Sequence, residues 1–513
     1  MTTIDTRFPS SNLASWQEED GIISLEPKGG AAQPWFYFLI TGAAGQELTF
    51  SVPALADQQG WSASISYDRV DWVSADVAGP GATFKHRFLR DDAIVSLTPP
   101  YTNGMLWELF FWSQRSPHMD VDFLGKSAQS GTEPVTLFTI SDMGKRENNP
   151  VVWLIAREHP LETATSWLAE GCIRFLISTD PLAQALRQRF TFKIVPMLDY
   201  IGVFNSALNP TVSWDEAGSA AVAGGDAASD EADASPTALI SRLLAADFQS
   251  TAGISLALLL RSSMLGSVGS CKLPMGVTWA TATADWRRQA MAILPWYDWA
   301  TITAASTTTD GAGAIAGAFG KHMAQLCPGA TVGEVTTSWY YGANSIGNAI
   351  DEHKSQYDML QEGELLWRAL SGAMGDFSEV NGAGLPALLL PRLAFAGDKA
   401  EASVLYRPAG DEQVYLAGQD YEQVMTASGE QGGQGEQGKQ SEQQGGYIRY
   451  TVVVPIQEAE KAQYIEARGS ETIPSGRVKF GGGSGAVGGV RDGARRIPLA
   501  ERRDRPADAS LSL

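Results

Sequence analysis

The sequence is short of cysteine, histidine and positive charge, and it has no long apolar run. The 513 residues contain three cysteines, Cys172, Cys271 and Cys327, an odd number with no paired spacing. That excludes a disulfide framework and predicts reduced thiols in a cytoplasmic protein. Lys and Arg total 38 against 58 Asp and Glu, for a formal net charge of -20. Such a balance favours solubility and argues against nucleic acid as a partner. The longest strongly apolar stretch, around "GISLALLL", is far too short to span a bilayer, so no membrane association is expected. The opening "MTTIDTRFPSSNLASWQEED" has neither a basic region nor an apolar core, so no secretory signal is read there.

What is present is ordinary for a globular chain: 44% hydrophobic and 19% charged residues. At this length more than one domain is expected. Short runs rich in aromatic and β-branched residues ("WFYFLI", "ELTFSV", "WSASISY", "AIVSL") are separated by Gly, Pro and Asp in residues 1–128. They predict an N-terminal antiparallel β-sandwich, without a helix of useful length. From 129 to 400 the pattern changes to α/β. "VTLFTI", "PVVWLIA", "FTFKIVPML", "GISLALLL" and "GEVTTSWYY" read as buried strands, and "LETATSWLAEGCIRFLIS", "SPTALISRLLAAD" and "GAIAGAFGKHMAQL" as helices between them. Alternation of this kind predicts a mixed, mostly parallel sheet whose functional groups gather beyond the carboxyl ends of its strands. His159, Asp199 and Arg261 each follow an apolar run and are expected to converge there. An acidic Ala/Gly-rich insert (217–235) interrupts this domain. A C-terminal extension (401–470) carries a low-complexity insert (427–446), and a Gly/Arg-rich tail (471–513) is expected to be disordered.

The chemistry is concentrated in "REHPLETATSW" (157–167). His159 and Glu162 stand three residues apart, directly after a buried strand and at the start of a helix. Imidazole and carboxylate are both zinc ligands, but a catalytic zinc needs three protein ligands and a water. The spacing alone is weak, and the flanking strand and helix strengthen it. His86, His118, His322 and His353 are the other histidines, and each is read as a structural or surface side chain. The tryptophan-rich "WRRQAMAILPWYDW" is read as packing or as the cleft wall.

"AREHPLETATSWLAEG" resembles the "AR-x-HPGET-x-x-SW-x-x-x-G" segment of zinc metallocarboxypeptidases of the cytosolic carboxypeptidase branch, and "FTFKIVPMLDYIGV" resembles its "F-x-F-x-IVPMLNPDGV". "PWFYFLITG", "ISYDRVDW" and "PPYT" resemble the β-sandwich that precedes the peptidase domain in that branch. The resemblance runs from about Trp35 to Tyr341. It implies a zinc peptidase that removes C-terminal residues, often glutamates, from peptide or protein tails, with His159 and Glu162 as two of the metal ligands.

Carried over position by position, the remaining residues depart from the family. Ala207 and Asn209 stand where an Asn and an Arg would grip the substrate's carboxylate. No Arg follows Trp214 to polarise the scissile carbonyl; Asp215 and Glu216 stand there. Arg261 replaces the third ligand, a His, and Thr336 replaces the general-base Glu, with Glu334 two residues away on the same strand face. A guanidinium has no lone pair for a metal, so Arg261 is expected to pair with Glu162 as an internal countercharge. Two readings result. The first is a catalytically impaired carboxypeptidase homologue, a pseudoenzyme that binds a peptide or a protein tail. The second is an active zinc metallocarboxypeptidase of the glutamate-removing kind.

Overall fold

The computed structural model describes most of residues 2–479. The longer stretches left out of the description are 125–134, 215–234, 264–268, 275–289, 303–317, 340–353, 378–387, 407–412, 428–447, 456–463, 469–473 and 480–513.

Ten short strands open the chain: β1 (Thr3–Asp5), β2 (Ser15–Glu19), β3 (Ile22–Glu26), β4 (Tyr37–Thr41), β5 (Glu47–Ser51), β6 (Ser64–Ser66), β7 (Val73–Ser74), β8 (Asp76–Val77), β9 (Thr83–Arg87) and β10 (Ala93–Ser96). They form two five-stranded sheets, β1-β4-β10-β6-β7 and β2-β3-β5-β9-β8. All the pairings are antiparallel except β3 with β5. Alternate apolar residues meet between the sheets. Phe50 and Phe84, cross-strand partners in the second sheet, stack with centroids 4.7 Å apart, and across the interface Phe38 of β4 lies 6.2 Å from Phe50 and Phe36 stacks on Phe84 at 6.1 Å. Rings of this size dominate the burial that holds so short a set of strands.

The sandwich ends earlier than the sequence suggests. Helix α1 (Asn103–Ser113) follows it, and β11 (Met119–Leu124) pairs with β12 (Val135–Ile140) in the next sheet. The helix "NGMLWELFFWS" is apolar nearly all round, so no helical stripe marks it in the sequence.

The central sheet takes β11, β12, β13 (Val151–Ile155), β14 (Thr191–Val195), β15 (Ile254–Ser263), β16 (Gly269–Pro274), β17 (Tyr297–Ile302) and β18 (Val332–Ser338). Its order is β11-β12-β14-β13-β15-β18-β16-β17. The inner run β14-β13-β15-β18 is parallel throughout, so these strands end on one side of the sheet. The helices are α2 (Thr163–Leu176), α3 (Pro181–Arg189), α4 (Tyr200–Phe204), α5 (Pro236–Gln249), α6 (Ala318–Leu326) and α7 (Gln356–Met374). One sheet face, with Val152, Leu154, Leu256, Leu258 and Leu260, belongs to a core shared with the N-terminal sandwich and with α2, α3, α4 and α7. The other face, with Trp153, Ile155, Ala257 and Leu259, packs on Ile240, Leu244, Phe319 and Met323 of α5 and α6.

The helix starts are chemically marked. Asp180 and Ser235 each accept a backbone N–H of the first turn, with Pro at the first helical position. Helices α2 and α7 touch backbone to backbone. A Cβ on Gly171 would overlap the Leu360 carbonyl, and one on Gly363 would overlap that of Leu168.

Beyond α7 lie β19 (Leu388–Ala396), β20 (Lys399–Tyr406), β21 (Gln413–Gly418), β22 (Tyr421–Val424), β23 (Thr426–Ala427), β24 (Ile448–Pro455), β25 (Tyr464–Arg468) and β26 (Pro474–Lys479), in sheets β19-β20-β24-β23 and β22-β21-β25-β26. Strand β19, which pairs with β20, precedes residue 401. Strand β26 lies within the segment expected to be a tail, because it pairs with β25. The inserts 217–235 and 427–446 fall almost entirely outside the described residues.

Candidate metal centre

The turn between β13 and α2 is built around Arg157. Its backbone takes a positive φ of 60°, a strained conformation for a side chain of this size. Its buried guanidinium donates to the Pro160 carbonyl through Nε (2.9 Å) and Nη2 (2.6 Å), closing the turn from inside. The Arg157 N–H donates to Thr165 Oγ1 at 3.1 Å, tying the turn to the first turn of α2. Burial pulls the Arg157 pKa down to about 9, against the pull of Glu162 and Asp199. At neutral pH it remains a cation.

This turn places His159 and Glu162 at the carboxyl end of the parallel strands. The Leu161 N–H donates to His159 Nδ1 at 3.2 Å. With Nδ1 accepting, the neutral ring carries its proton on Nε2. Burial, then the nearby Arg157, lower the His159 pKa, so the ring is neutral at pH 7. Glu162 is buried, and burial raises its pKa to about 7, against the opposing pull of Arg261. Its Oε1 accepts the Ser262 N–H at 3.4 Å, and its Oε2 is enclosed with no hydrogen-bond partner among the described residues.

Arg261 stands near the end of β15, and parallel pairing sets it beside Thr336 of β18. It does not take the partner expected from the sequence. Arg261 Nη1 lies 2.9 Å from Glu158 Oε2, with the two side chains 28% and 10% exposed. Glu158 follows the positive-φ residue Arg157 directly, while Glu162 stands at the N-cap position of α2 without a side-chain cap bond and accepts the Ser262 N–H instead. The Glu158 contact was missed because the sequence offers two carboxylates near the histidine and no spacing rule to choose between them.

The other candidate positions are spread out. Glu334 pairs in register with Leu259, one pleat repeat before Thr336, and so lies roughly 7 Å back along the strand from Arg261's neighbour. Ala207 is half-buried in the turn after α4, donating its N–H to the Gly202 carbonyl at 2.8 Å, and Asn209 is exposed. Asp199 accepts the Gly202 N–H (2.9 Å) and the Thr211 N–H (2.7 Å), so it organises the turn that carries them. A Cβ on Gly202 would overlap the Asp199 carboxylate and crowd Pro160, so only glycine fits there. Trp214 is buried against Phe319 and His322, and Asp215 and Glu216 lie outside the described residues.

The remaining described histidines are occupied elsewhere. His86 bonds to Tyr67 Oη (2.8 Å), His118 faces Asp142 (3.2 Å) and His322 bonds to Ser241 Oγ (2.7 Å). His353 lies outside the described residues, as does most of the tryptophan-rich segment. Among the described residues no group of three His, Cys, Asp or Glu side chains forms a metal site. His159 Nδ1 and Glu162 Oε1 accept backbone N–H bonds, and the side chain at the end of the neighbouring strand is the cation Arg261, so the described residues do not complete a three-ligand zinc set.

Comparisons with known proteins place this geometry. A profile of the zinc carboxypeptidase family matches residues 111–203. An uncharacterized protein of Zymomonas mobilis is 30% identical over 208 residues, covering 38% of this chain and 53% of its own. Human cytosolic carboxypeptidase 1 is 52% identical over 255 residues, covering 39% of this chain but 21% of its own. The chain thus spans about half the length of the first relative and about a fifth of the second. A metallo-carboxypeptidase crystal structure from Burkholderia cenocepacia shares the fold at a TM-score of 0.55 and 19% identity, over 74% of this chain and 100% of that one. The segment that builds the turn around His159 and Glu162 therefore belongs to the zinc carboxypeptidase family, and the chain is a homologue of the cytosolic carboxypeptidases.

Proposed function

We propose that this chain is a carboxypeptidase homologue that has lost hydrolysis and binds the C-terminal tail of a peptide or protein, in the cytoplasm as the name of its cytosolic carboxypeptidase relatives suggests. The observation that carries this reading is the Arg261–Glu158 pair at the end of β15. A guanidinium cannot ligate a metal, and it repels a dication placed beside it. Thr336, its neighbour on β18, has no carboxylate with which to activate water. Loss of a general base lowers such reactions by roughly 100- to 10,000-fold.

The retained His159 and Glu162 favour the other reading, an active zinc metallocarboxypeptidase. Metal analysis separates the two. Purified protein dialysed against chelator-free buffer is expected to hold well under one zinc per chain and to leave peptide C-termini intact. Arg261→His supplies a second imidazole as the third ligand and is expected to raise the zinc content towards one per chain. Stoichiometric, dialysis-resistant zinc in the unaltered chain, together with release of C-terminal residues, would overturn the proposal.

A further inference from the structure

We infer that Arg261 is a carboxylate grip, which takes the C-terminal carboxylate of a bound peptide at the place where the family holds its metal. This rests on the reading of the chain as a non-hydrolytic peptide binder, and it adds the residue and the group it recognises. Three observations lead to it.

Arg261 uses one guanidinium nitrogen on Glu158, and its other nitrogens have no partner among the described residues. The side chain is 28% exposed, while Glu158 is 10% exposed. The buried carboxylate therefore sits against one nitrogen of the fork, and the side chain as a whole stays partly open to solvent. A planar fork held on one side is preorganised for a second, bidentate contact, and carboxylate is the anion that matches its geometry.

His159 supplies a second donor from the neighbouring strand end. Its Nδ1 is taken by the Leu161 N–H, so the donor that remains is Nε2–H. Strand β13, which leads into the His159 turn, is the parallel neighbour of β15, with Ile155 beside Leu259. A guanidinium and a ring N–H carried at the ends of neighbouring strands suit an acceptor with two oxygens. They do not suit a cation.

The expected alternative grip is missing. The two positions at which the family resemblance places carboxylate-binding side chains hold Ala207, half-buried, and Asn209, exposed, and neither carries charge. Arg261 is a partly exposed cation at the strand ends, whereas the neighbouring Arg157 is buried and bonded within its own turn.

The test uses the full chain and fluorescence anisotropy with N-terminally labelled Gly-Ala-Glu and Gly-Ala-Phe, each as the free acid and as the C-terminal amide. At least one acid is expected to bind, with its amide about ten- to a hundredfold weaker, the range for losing a hydrogen bond to a charged group. Arg261→Met is expected to cost the acid a similar factor and to make acid and amide equal. Arg261→Lys keeps the charge without the fork and is expected to lose less. Arg115→Met, on the exposed surface after α1, serves as the control and is expected to bind as the unaltered chain does. Equal binding of acid and amide by the unaltered chain, or an Arg261→Met variant that still prefers the acid, overturns the grip and leaves peptide binding standing. No binding of any of the four overturns both. Mass spectrometry on the same samples reports trimming: a shortened acid overturns the loss of hydrolysis, and the acid-to-amide ratio still judges Arg261.

Discussion

Two arginines flank the candidate site, and they are held in opposite ways. Arg157 lies at the end of β13, is buried, and gives its guanidinium to a backbone carbonyl of its own turn. Arg261 lies at the end of the adjacent strand β15, is partly exposed, and is steadied by one carboxylate. The first spends its hydrogen bonds on the shape of the chain. The second keeps most of its own for something outside. The same residue type, one strand apart, is architecture in one case and a presented charge in the other, and the environment sets the difference.

The sharpest way to break that comparison is Arg157→Met. It leaves the Pro160 carbonyl without its two donors inside the core and is expected to cost about 2–4 kcal/mol of stability, measured by urea unfolding. A smaller loss would mean that the turn does not depend on its guanidinium. Glu162→Gln comes next and is pH-dependent. Glu162 has a folded pKa raised to about 7 from an ordinary value of 4.5, so its contribution is fully present below about 4.5 and is lost as pH rises through 7. At one pKa unit per 1.36 kcal/mol, the burden on the unaltered chain at pH 8 is on the order of 3 kcal/mol. Glu162→Gln is therefore expected to gain stability relative to the unaltered chain between pH 5 and pH 8, in unfolding curves recorded with a chelator present. A pH-independent difference would remove the buried acid from the account.

Gly363→Ala probes the helix pair under the turn. The new methyl meets the Leu168 carbonyl, and overpacking of this kind costs about 1–3 kcal/mol. Calorimetry on the variant should show a lowered melting temperature. The smallest effect belongs to Arg261→Met. Partly exposed ion pairs contribute about 0–1 kcal/mol, so its stability should barely change, in contrast to Arg157→Met. A large loss there would make Arg261 a structural residue and erase the comparison.

The sequence carried the central sheet well, because its strands are buried on both faces and read as unbroken apolar runs: "VVWLI" of β13 and the apolar part of β15 are examples. Helix α2 was legible from its apolar spacing, and α5 from its Ser–Pro start. Helix α1 was hidden because aromatic residues surround it and leave no stripe. At the site, the strand-end positions of Arg261 and Thr336 could be aligned, and the parallel register puts them side by side. What could not be read was the choice of partner. Glu158 and Glu162 both flank His159 in sequence, and only the folded turn shows that Glu158 lies against Arg261 while Glu162 accepts the Ser262 N–H. The buried Lys354–Glu362 ion pair (2.5 Å), with Tyr297 and Thr337 on the same carboxylate, is equally invisible, because its members meet only once three elements have packed.

The N-terminal sandwich and the central sheet draw on one apolar core, and Thr98 of the sandwich lies 3.2 Å from Thr163, the first residue of α2. Trp35 hydrogen-bonds Thr98 from one side, and Trp339, just past β18, hydrogen-bonds Thr163 from the other. Units joined through a common interior do not melt one at a time. Heat should therefore remove the sandwich and the site turn in a single transition, and a chain cut between them should yield two fragments that aggregate rather than two that fold. The sandwich is then less a neighbour of the peptidase fold than one of its walls.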